Sequence, residues 1–134
     1  MNNRRSFITG IKSTILSSNE KKFLKKYKPW GIILFTRNIK NIKQTQKLTS
    51  SVRKIFKDQN YPILIDQEGG RVNRLENIIS FANLTSEFFG NKYKKNTKEF
   101  KFFYNLFIDK TSYLLKSIGV NINTCLLYTS DAAD

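Results

Sequence analysis

The sequence predicts an α/β fold in which the strands of a parallel sheet alternate with helices. Two observations carry this prediction. The runs 30–35 and 61–65 are continuously apolar or aromatic apart from one glycine and one proline, which is typical of strands buried on both faces of a covered parallel sheet. Segments with helical periodicity separate these runs, and such alternation indicates βαβ units.

The first predicted elements are a weak strand and a short capped helix. Residues 7–11 form the weak strand. Ser17 followed by Glu20 three positions later is a capping box, in which reciprocal hydrogen bonds satisfy the first free amides of a helix. We expect this helix to end before Pro29, because the residue before a proline is disfavoured in the α region.

The middle of the chain continues the alternation. After the strand 30–35, a polar turn at 36–39 leads into a second helix over 43–57, and the run 61–65 is the third strand. The apolar positions of the second helix fall at i, i+4 and i+7 and form one stripe facing a sheet, namely Leu48, Val52 and Ile55.

The last third of the chain predicts a loop, a long helix and a further strand. The loop holds residues 75–90, and the helix covers 97–117. Gly119 stands where a left-handed C-terminal cap belongs, and residues 120–123 begin another short strand. The long helix has a broad apolar face that is typical of a core, made of Phe100, Phe103, Tyr104, Phe107, Leu114, Leu115 and Ile118.

Chain length, cysteine content and hydropathy limit the class of protein. The 134 residues suffice for one domain with a core and are too few for two. The single cysteine, Cys125, excludes an internal disulfide and suits a reducing compartment. No apolar run approaches the ~20 residues that a membrane helix needs. We therefore expect a cytoplasmic protein without a membrane partner.

The chain is strongly basic, with 24 Lys and Arg against 10 Asp and Glu and a formal net charge of +14. Such a balance often marks nucleic-acid partners. Here most of the excess is lysine scattered along polar helix faces, in a chain rich in the residues that an AT-rich genome favours. We attribute the basicity to composition and solubility and expect no specific nucleic-acid partner. A small basic nucleic-acid-binding module stays open as an alternative.

Polar residues follow both buried strands at the point where each strand ends. Arg37 and Asn38 follow the strand 30–35, and the segment 66–74, Asp-Gln-Glu-Gly-Gly-Arg-Val-Asn-Arg, follows the strand 61–65. A doubly wound nucleotide-binding sheet would need a GxGxxG or Walker loop, and neither spacing is present. A (β/α) barrel places its site at the carboxyl ends of its strands. The barrel is therefore favoured.

Three segments resemble a known family. They are 31–39, 65–75 and 118–123, and they read Gly-Ile-Ile-Leu-Phe-Thr-Arg-Asn-Ile, Ile-Asp-Gln-Glu-Gly-Gly-Arg-Val-Asn-Arg-Leu and Ile-Gly-Val-Asn-Ile-Asn. They are similar to the N-terminal part of the bacterial β-N-acetylhexosaminidases of glycoside hydrolase family three, the cell-wall-recycling type. The resemblance covers residues 7–125. It implies a TIM-type barrel that removes terminal N-acetylglucosamine from peptidoglycan fragments by a retaining mechanism, with no cofactor and no metal.

The resemblance gives Asp66 and Arg74 the role of substrate-binding residues. The carboxylate oxygens of Asp66 can accept hydrogen bonds from two sugar hydroxyls, and the guanidinium of Arg74 offers a fixed fork of donors. A structural alternative also stays open. In that alternative Asp66 pairs with Arg71 or Arg74 at the end of the strand, or Arg74 is a solvated surface arginine.

Asp66 and Glu68 also suggest a catalytic dyad, because retaining glycosidases use two carboxyl groups ~5–5.5 Å apart. We disfavour this dyad, since side chains at i and i+2 of a strand are nearly ~7 Å apart. We also expect a turn after Gly69 to carry Glu68 away from Asp66. The other residues of the two segments are expected to be scaffold, with Gln67, Glu68 and Arg71 holding the turn and Arg37 and Asn38 forming pocket wall.

The chain differs from the family in lacking its histidine-containing loop and in the sequence of its last residues. In the family a loop of the Lys-His-Phe-Pro-Gly-His-Gly type supplies the acid/base and a later strand supplies the nucleophilic aspartate, but this chain contains no histidine. Residues 126–134 fit neither the family nor the preceding composition, and we interpret them as a foreign or read-through tail. We expect residues 1–125 to form an incomplete barrel of three to four βα units, with no catalytic residue and no activity of its own.

The implied partner is a muropeptide or saccharide that contains N-acetylglucosamine, and the parent protein is expected to be a monomer. A β-glucosidase-like hydrolase of the same superfamily stays open as a further alternative, because the loop that would contact the acetamide is not in this chain.

Overall fold

The computed structural model describes residues 4–125, and in this range the chain forms four strands, four α-helices and one short 3₁₀ turn. The strands are β1 (Arg5–Gly10), β2 (Pro29–Leu34), β3 (Ile63–Ile65) and β4 (Ile122–Asn123). The helices are α1 (Ser18–Tyr27), α2 (Ile42–Phe56), α3 (Ser86–Lys95) and α4 (Thr97–Ser117), and the 3₁₀ turn covers Thr36–Asn38. The predicted foreign tail at 126–134 lies outside the described residues.

The four strands form one parallel sheet in the order β1-β2-β3-β4. Leu64 lies opposite Ile33 on one side and opposite Ile122 on the other. Each strand pairs with the next strand of the chain after a helical crossover, which is the succession of a (β/α) barrel. A doubly wound sheet would instead reverse its strand order at a switch point. The predicted α/β fold of three to four βα units is therefore confirmed.

The helix ends lie close to the positions that the sequence predicts. The Ser17 hydroxyl accepts a hydrogen bond from the Glu20 amide at 3.2 Å, and the Glu20 carboxylate accepts one from the Ser17 amide at 2.9 Å, so the capping box is formed. The predicted helix 97–117 is α4 with the same bounds. Gly119 follows it with a φ of +82°, as the predicted cap requires.

The two predicted buried strands are less regular than expected. Trp30 is 43% exposed, and it lies where the pairing of β2 with β1 shifts its register. β3 begins only at Ile63, after Pro62. Tyr61 nevertheless belongs to the core: its hydroxyl donates to the Pro29 carbonyl at 2.8 Å and its ring is fully buried.

The segment 75–90, predicted as a loop, contains the start of helix α3. The hydroxyl of Thr85 caps this helix by accepting a hydrogen bond from the Phe88 amide at 3.0 Å. The ring of Phe89 packs against Tyr104 and Phe107 of α4, at centroid distances of 5.1 and 5.3 Å. The loop prediction is wrong here because Gly90 interrupts the helical pattern, while aromatic packing against α4 stabilises the helix.

The core lies between the sheet and the helices α1, α2 and α4. It includes Leu24 of α1, Val52 of α2 and Leu115 of α4, together with the apolar residues of β2 and β3. Within residues 4–125, no helix combines the length and the apolar character that a membrane crossing requires.

Candidate functional site

The loop after β3 brings Asp66 and Arg74 together at the carboxyl end of the sheet. Asp66 directly follows the last residue of β3. The Arg74 Nη2 donates to the Asp66 Oδ2 at 3.3 Å. Both side chains stay partly open to solvent, with 28% of Arg74 and 29% of Asp66 exposed. The ion pair that the sequence left open is thus formed with Arg74, whereas Arg71 is exposed.

The ring of Phe35 lies beside this pair. Phe35 follows β2, and its ring centroid is 5.6 Å from the guanidinium carbon of Arg74 and 4.5 Å from that of Arg37. The Nε of Arg74 is buried and has no hydrogen-bond partner within residues 4–125. A buried donor without an acceptor carries a free-energy cost.

A tight turn sends the chain from Asp66 back to Arg74. The amides of Glu68 and Gly69 both donate to the Val72 carbonyl, at 3.0 and 3.2 Å. Gly69 and Gly70 have φ values of +103° and +57°, which residues with a Cβ rarely adopt. The glycine pair is therefore required by the path of the loop, as the sequence predicts.

Gln67 points into the protein rather than into the site. Its side chain is only 2% exposed and is hydrogen-bonded to Asn73 and to the amide of Leu75. The prediction that Gln67 holds the turn is confirmed. Its partner Asn73 was not predicted. Asn123, which is hydrogen-bonded to the backbone of Gln67, was not predicted either. Their signal in the sequence is that each asparagine falls within a segment that resembles the family.

Glu68 lies nearer to Asp66 than predicted. Burial raises the pKa of Glu68, the negative charge of Asp66 raises it further, and so does a hydrogen bond between the two carboxyl groups, while Arg74 lowers it. The expectation that the turn carries Glu68 away is therefore wrong. Glu68 and Asp66 are therefore neighbours in the loop after β3.

Asn38 and Arg37, which follow β2, hydrogen-bond to the backbone just after the neighbouring strand β1. Asn38 is fully buried, and its amide donates to the carbonyls of Ile11 and Ser13 at 2.9 Å each. Its Oδ1 accepts from the Phe35 amide at 2.9 Å. Arg37 is exposed at its tip and donates from Nε to the Ile11 carbonyl at 3.1 Å. These contacts agree with the predicted structural role.

A groove of about 580 Å³ is lined by the loop after β3 and by helices α3 and α4. Glu68 lines it together with five aromatic side chains, Phe89, Tyr93, Phe100, Tyr104 and Phe107. Cys125 also lines it, and burial raises the pKa of that thiol, together with the charges of Glu68 and Asp66. The sequence did not predict this groove, because α3 forms one of its walls.

Within residues 4–125, no cluster of three or more Cys, His, Asp or Glu side chains has the arrangement of a metal site. The charged groups beside Arg74 in the loop after β3 are instead the carboxyl groups of Asp66 and Glu68. The Asp66–Arg74 pair carries no net charge and offers both acceptors and donors, which suits an uncharged polyhydroxy ligand.

Comparison with known proteins gives consistent similarities. The chain is 34% identical over 89 residues to a beta-hexosaminidase of Hydrogenovibrio crunogenus, and this alignment covers 66% of this chain and 24% of that protein. It is 44% identical over 71 residues to a beta-hexosaminidase of Haemophilus influenzae, covering 52% of this chain and 19% of that protein. The chain thus spans about a quarter or less of the length of these relatives.

A solved structure shows the same fold. The glycoside hydrolase family 3 beta-N-acetylglucosaminidase from a Paenibacillus species aligns with a TM-score of 0.57 at 24% identity, over 87% of this chain and 22% of that one. No family model matches the chain.

Proposed function

We propose, from the relationship of this chain to the beta-hexosaminidases of glycoside hydrolase family three, that it forms the sugar-holding part of a glycoside hydrolase. The observation that carries the proposal is the Asp66–Arg74 pair, which lies at the carboxyl end of a parallel sheet with both side chains partly open to solvent. This is the end of the strands at which barrels of this type build their sites.

The chemistry of the pair suits sugar hydroxyls. Asp66 offers acceptor oxygens, and Arg74 offers N–H donors, of which one is used in the contact with Asp66. A hydroxyl both donates and accepts, so a vicinal diol can bridge the two side chains without introducing charge. The 3.3 Å contact is long for a charge-assisted hydrogen bond, and its replacement by a ligand costs little.

We further propose that the sugar is the terminal N-acetylglucosamine of a saccharide or muropeptide, and that the parent enzyme is a cytoplasmic monomer that acts with retention of configuration. The names of the relatives support the hexosamine. The chain has no histidine, which the resemblance gives as the acid/base. We therefore propose that these 134 residues bind the sugar without hydrolysing it.

The test measures binding of N-acetylglucosamine to the isotope-labelled chain by NMR titration. We expect millimolar binding that Asp66→Asn and Arg74→Gln abolish. Arg71→Gln is the matched control, because Arg71 is an exposed arginine in the same loop, and it should leave the affinity unchanged. Equal effects of the two arginine substitutions would contradict the proposal.

A further measurement addresses turnover. Incubation with a chromogenic N-acetylglucosaminide should give no release above the rate without protein. Release that Asp66→Asn abolishes would show that the chain does contain a catalytic group.

A further inference from the structure

Gln67 connects the two halves of the proposed sugar site. It directly follows Asp66, and its side chain crosses the loop to the residues on either side of Arg74. Its Nε2 donates to the Asn73 Oδ1 at 3.2 Å, and its Oε1 accepts from the Leu75 amide at 3.1 Å. One buried side chain therefore fixes the chain immediately after Asp66 and immediately around Arg74.

This connection is anchored on both sides. The Asn73 Nδ2 donates to the Ile79 carbonyl at 3.3 Å. On the other side, the Asn123 Oδ1 accepts from the Gln67 amide and its Nδ2 donates to the Gln67 carbonyl, at 3.0 Å each. These are the two bonds that a neighbouring strand would make, so Asn123 extends the pairing of β3 with β4 beyond Ile65. We call Gln67, Asn73 and Asn123 the polar clamp.

The Asp66–Arg74 contact does not fix this geometry by itself. It is a single 3.3 Å contact between two side chains that are each more than a quarter exposed, and such pairs contribute little to the ordering of a loop. Gln67 and Asn73 are 2% and 9% exposed. Breaking their hydrogen bonds leaves buried polar groups without partners, which is far more costly.

We propose that Gln67 is a positioning residue, and that the polar clamp holds Arg74 against Asp66 before any sugar arrives. The role in sugar binding rests on the proposed function, but the positioning of Arg74 does not. The clamp supplies the pre-organisation that a binding pair needs, because it touches the loop on both sides of the pair through the buried side chains of Gln67 and Asn73.

The test uses NMR on the labelled 134-residue chain, with the mobility of the Arg74 Nε–H group as the first readout. We expect Gln67→Met, which keeps the volume and removes both hydrogen bonds, to make Arg74 as mobile as the exposed Arg71. The second readout is N-acetylglucosamine affinity, which should fall roughly tenfold, the equivalent of about one charge-assisted hydrogen bond.

Thr49→Val is the matched control. Thr49 is 1% exposed and its hydroxyl donates to the Ile118 carbonyl at 2.9 Å, away from the carboxyl ends of the strands. The Thr49→Val substitution should lower the melting temperature as Gln67→Met does. It should leave the mobility of Arg74 and the affinity for N-acetylglucosamine unchanged. If Gln67→Met does not fold, Asn123→Ala serves instead, because Asn123 is exposed, and it should increase the mobility of Arg74 to a smaller extent.

The outcomes separate the two claims. Unchanged Arg74 mobility in Gln67→Met, or in Asn123→Ala where that variant replaces it, overturns the clamp whatever the sugar does. An equal change in Thr49→Val also overturns it, since the effect would then follow stability alone. If the wild-type chain binds no sugar, the proposed function fails, and the Arg74 mobility still decides whether the clamp positions the pair.

Discussion

Replacement of Gly69 by alanine tests the path of the loop that joins Asp66 to Arg74. Gly69 has a φ of +103°, and a Cβ added to it would lie 2.6 Å from the Leu84 carbonyl oxygen. That atom belongs to the backbone, so it cannot rotate away as a side chain would. Either the turn or the segment before α3 must move, and both lie beside the candidate site.

The expected cost has two parts. Holding a residue with a Cβ in this region of φ costs roughly 1–3 kcal/mol, and forcing an extra methyl group into a filled space costs about as much again. We therefore expect Gly69→Ala to lower the free energy of unfolding by about 3 kcal/mol. For a chain of this length that corresponds to a fall in Tm of about 12 °C, at roughly 4 °C per kcal/mol.

Gly90→Ala is the matched control, since an added Cβ at Gly90 meets no atom within 4 Å and the residue lies inside α3. Alanine at a helical glycine stabilises by about 0.5–1 kcal/mol. Thermal unfolding followed by circular dichroism should thus move in opposite directions for the two variants. If Gly69→Ala melts within a few degrees of the wild-type chain, the left-handed turn at Gly69 and its contact with Leu84 are wrong.

Three other predictions concern the core, the charged groups and the net charge. Tyr61→Phe should cost about 1–2 kcal/mol in urea unfolding, because it leaves the buried Pro29 carbonyl without the donated hydrogen bond; no change would mean that the bond is not formed. Because the pKa of Glu68 is raised in the folded chain, the protonated side chain favours folding. This stabilisation is fully present below the unfolded pKa and is lost as pH rises through the folded pKa. Glu68→Gln should therefore stabilise the chain more at pH 7 than at pH 4. Glu99, whose pKa a hydrogen bond from a lysine lowers, should show the opposite trend on Glu99→Gln, and a trend of the other sign in either variant would contradict the assignment for that residue. Finally, binding to duplex DNA should be detectable at low salt and vanish near physiological salt; binding that persists there would favour the nucleic-acid alternative.

The sequence predicts most of the fold because its strongest signals are local. The capping box at Ser17 and the cap at Gly119 act within a few residues, and they place the ends of α1 and α4 correctly. The parallel sheet follows from the alternation of apolar runs with helices. Helix α3 is missed because its stability comes from Phe89 packing against α4, a contact between elements that no local pattern contains.

The site is predicted in part, for the same reason. Asp66 and Arg74 stand out as charges after a buried strand, and the structure brings them together. The asparagines of the polar clamp do not stand out, because an asparagine in a loop is ordinarily a turn residue. Their role depends on partners 6 residues away for Asn73 and 56 residues away for Asn123.

The position of Glu68 differs from the prediction because the side-chain spacing of a strand does not apply after β3. The spacing of side chains at i and i+2 applies only while the backbone stays extended, and β3 stops at Ile65. Beyond that residue the Glu68 amide turns towards the Val72 carbonyl, and its carboxyl group comes close enough to Asp66 for the charge of Asp66 to raise the pKa of Glu68. Retaining catalysis needs two carboxyl groups held apart around a sugar, whereas Asp66 and Glu68 lie in one turn and act on each other directly. Their closeness therefore does not support a catalytic dyad.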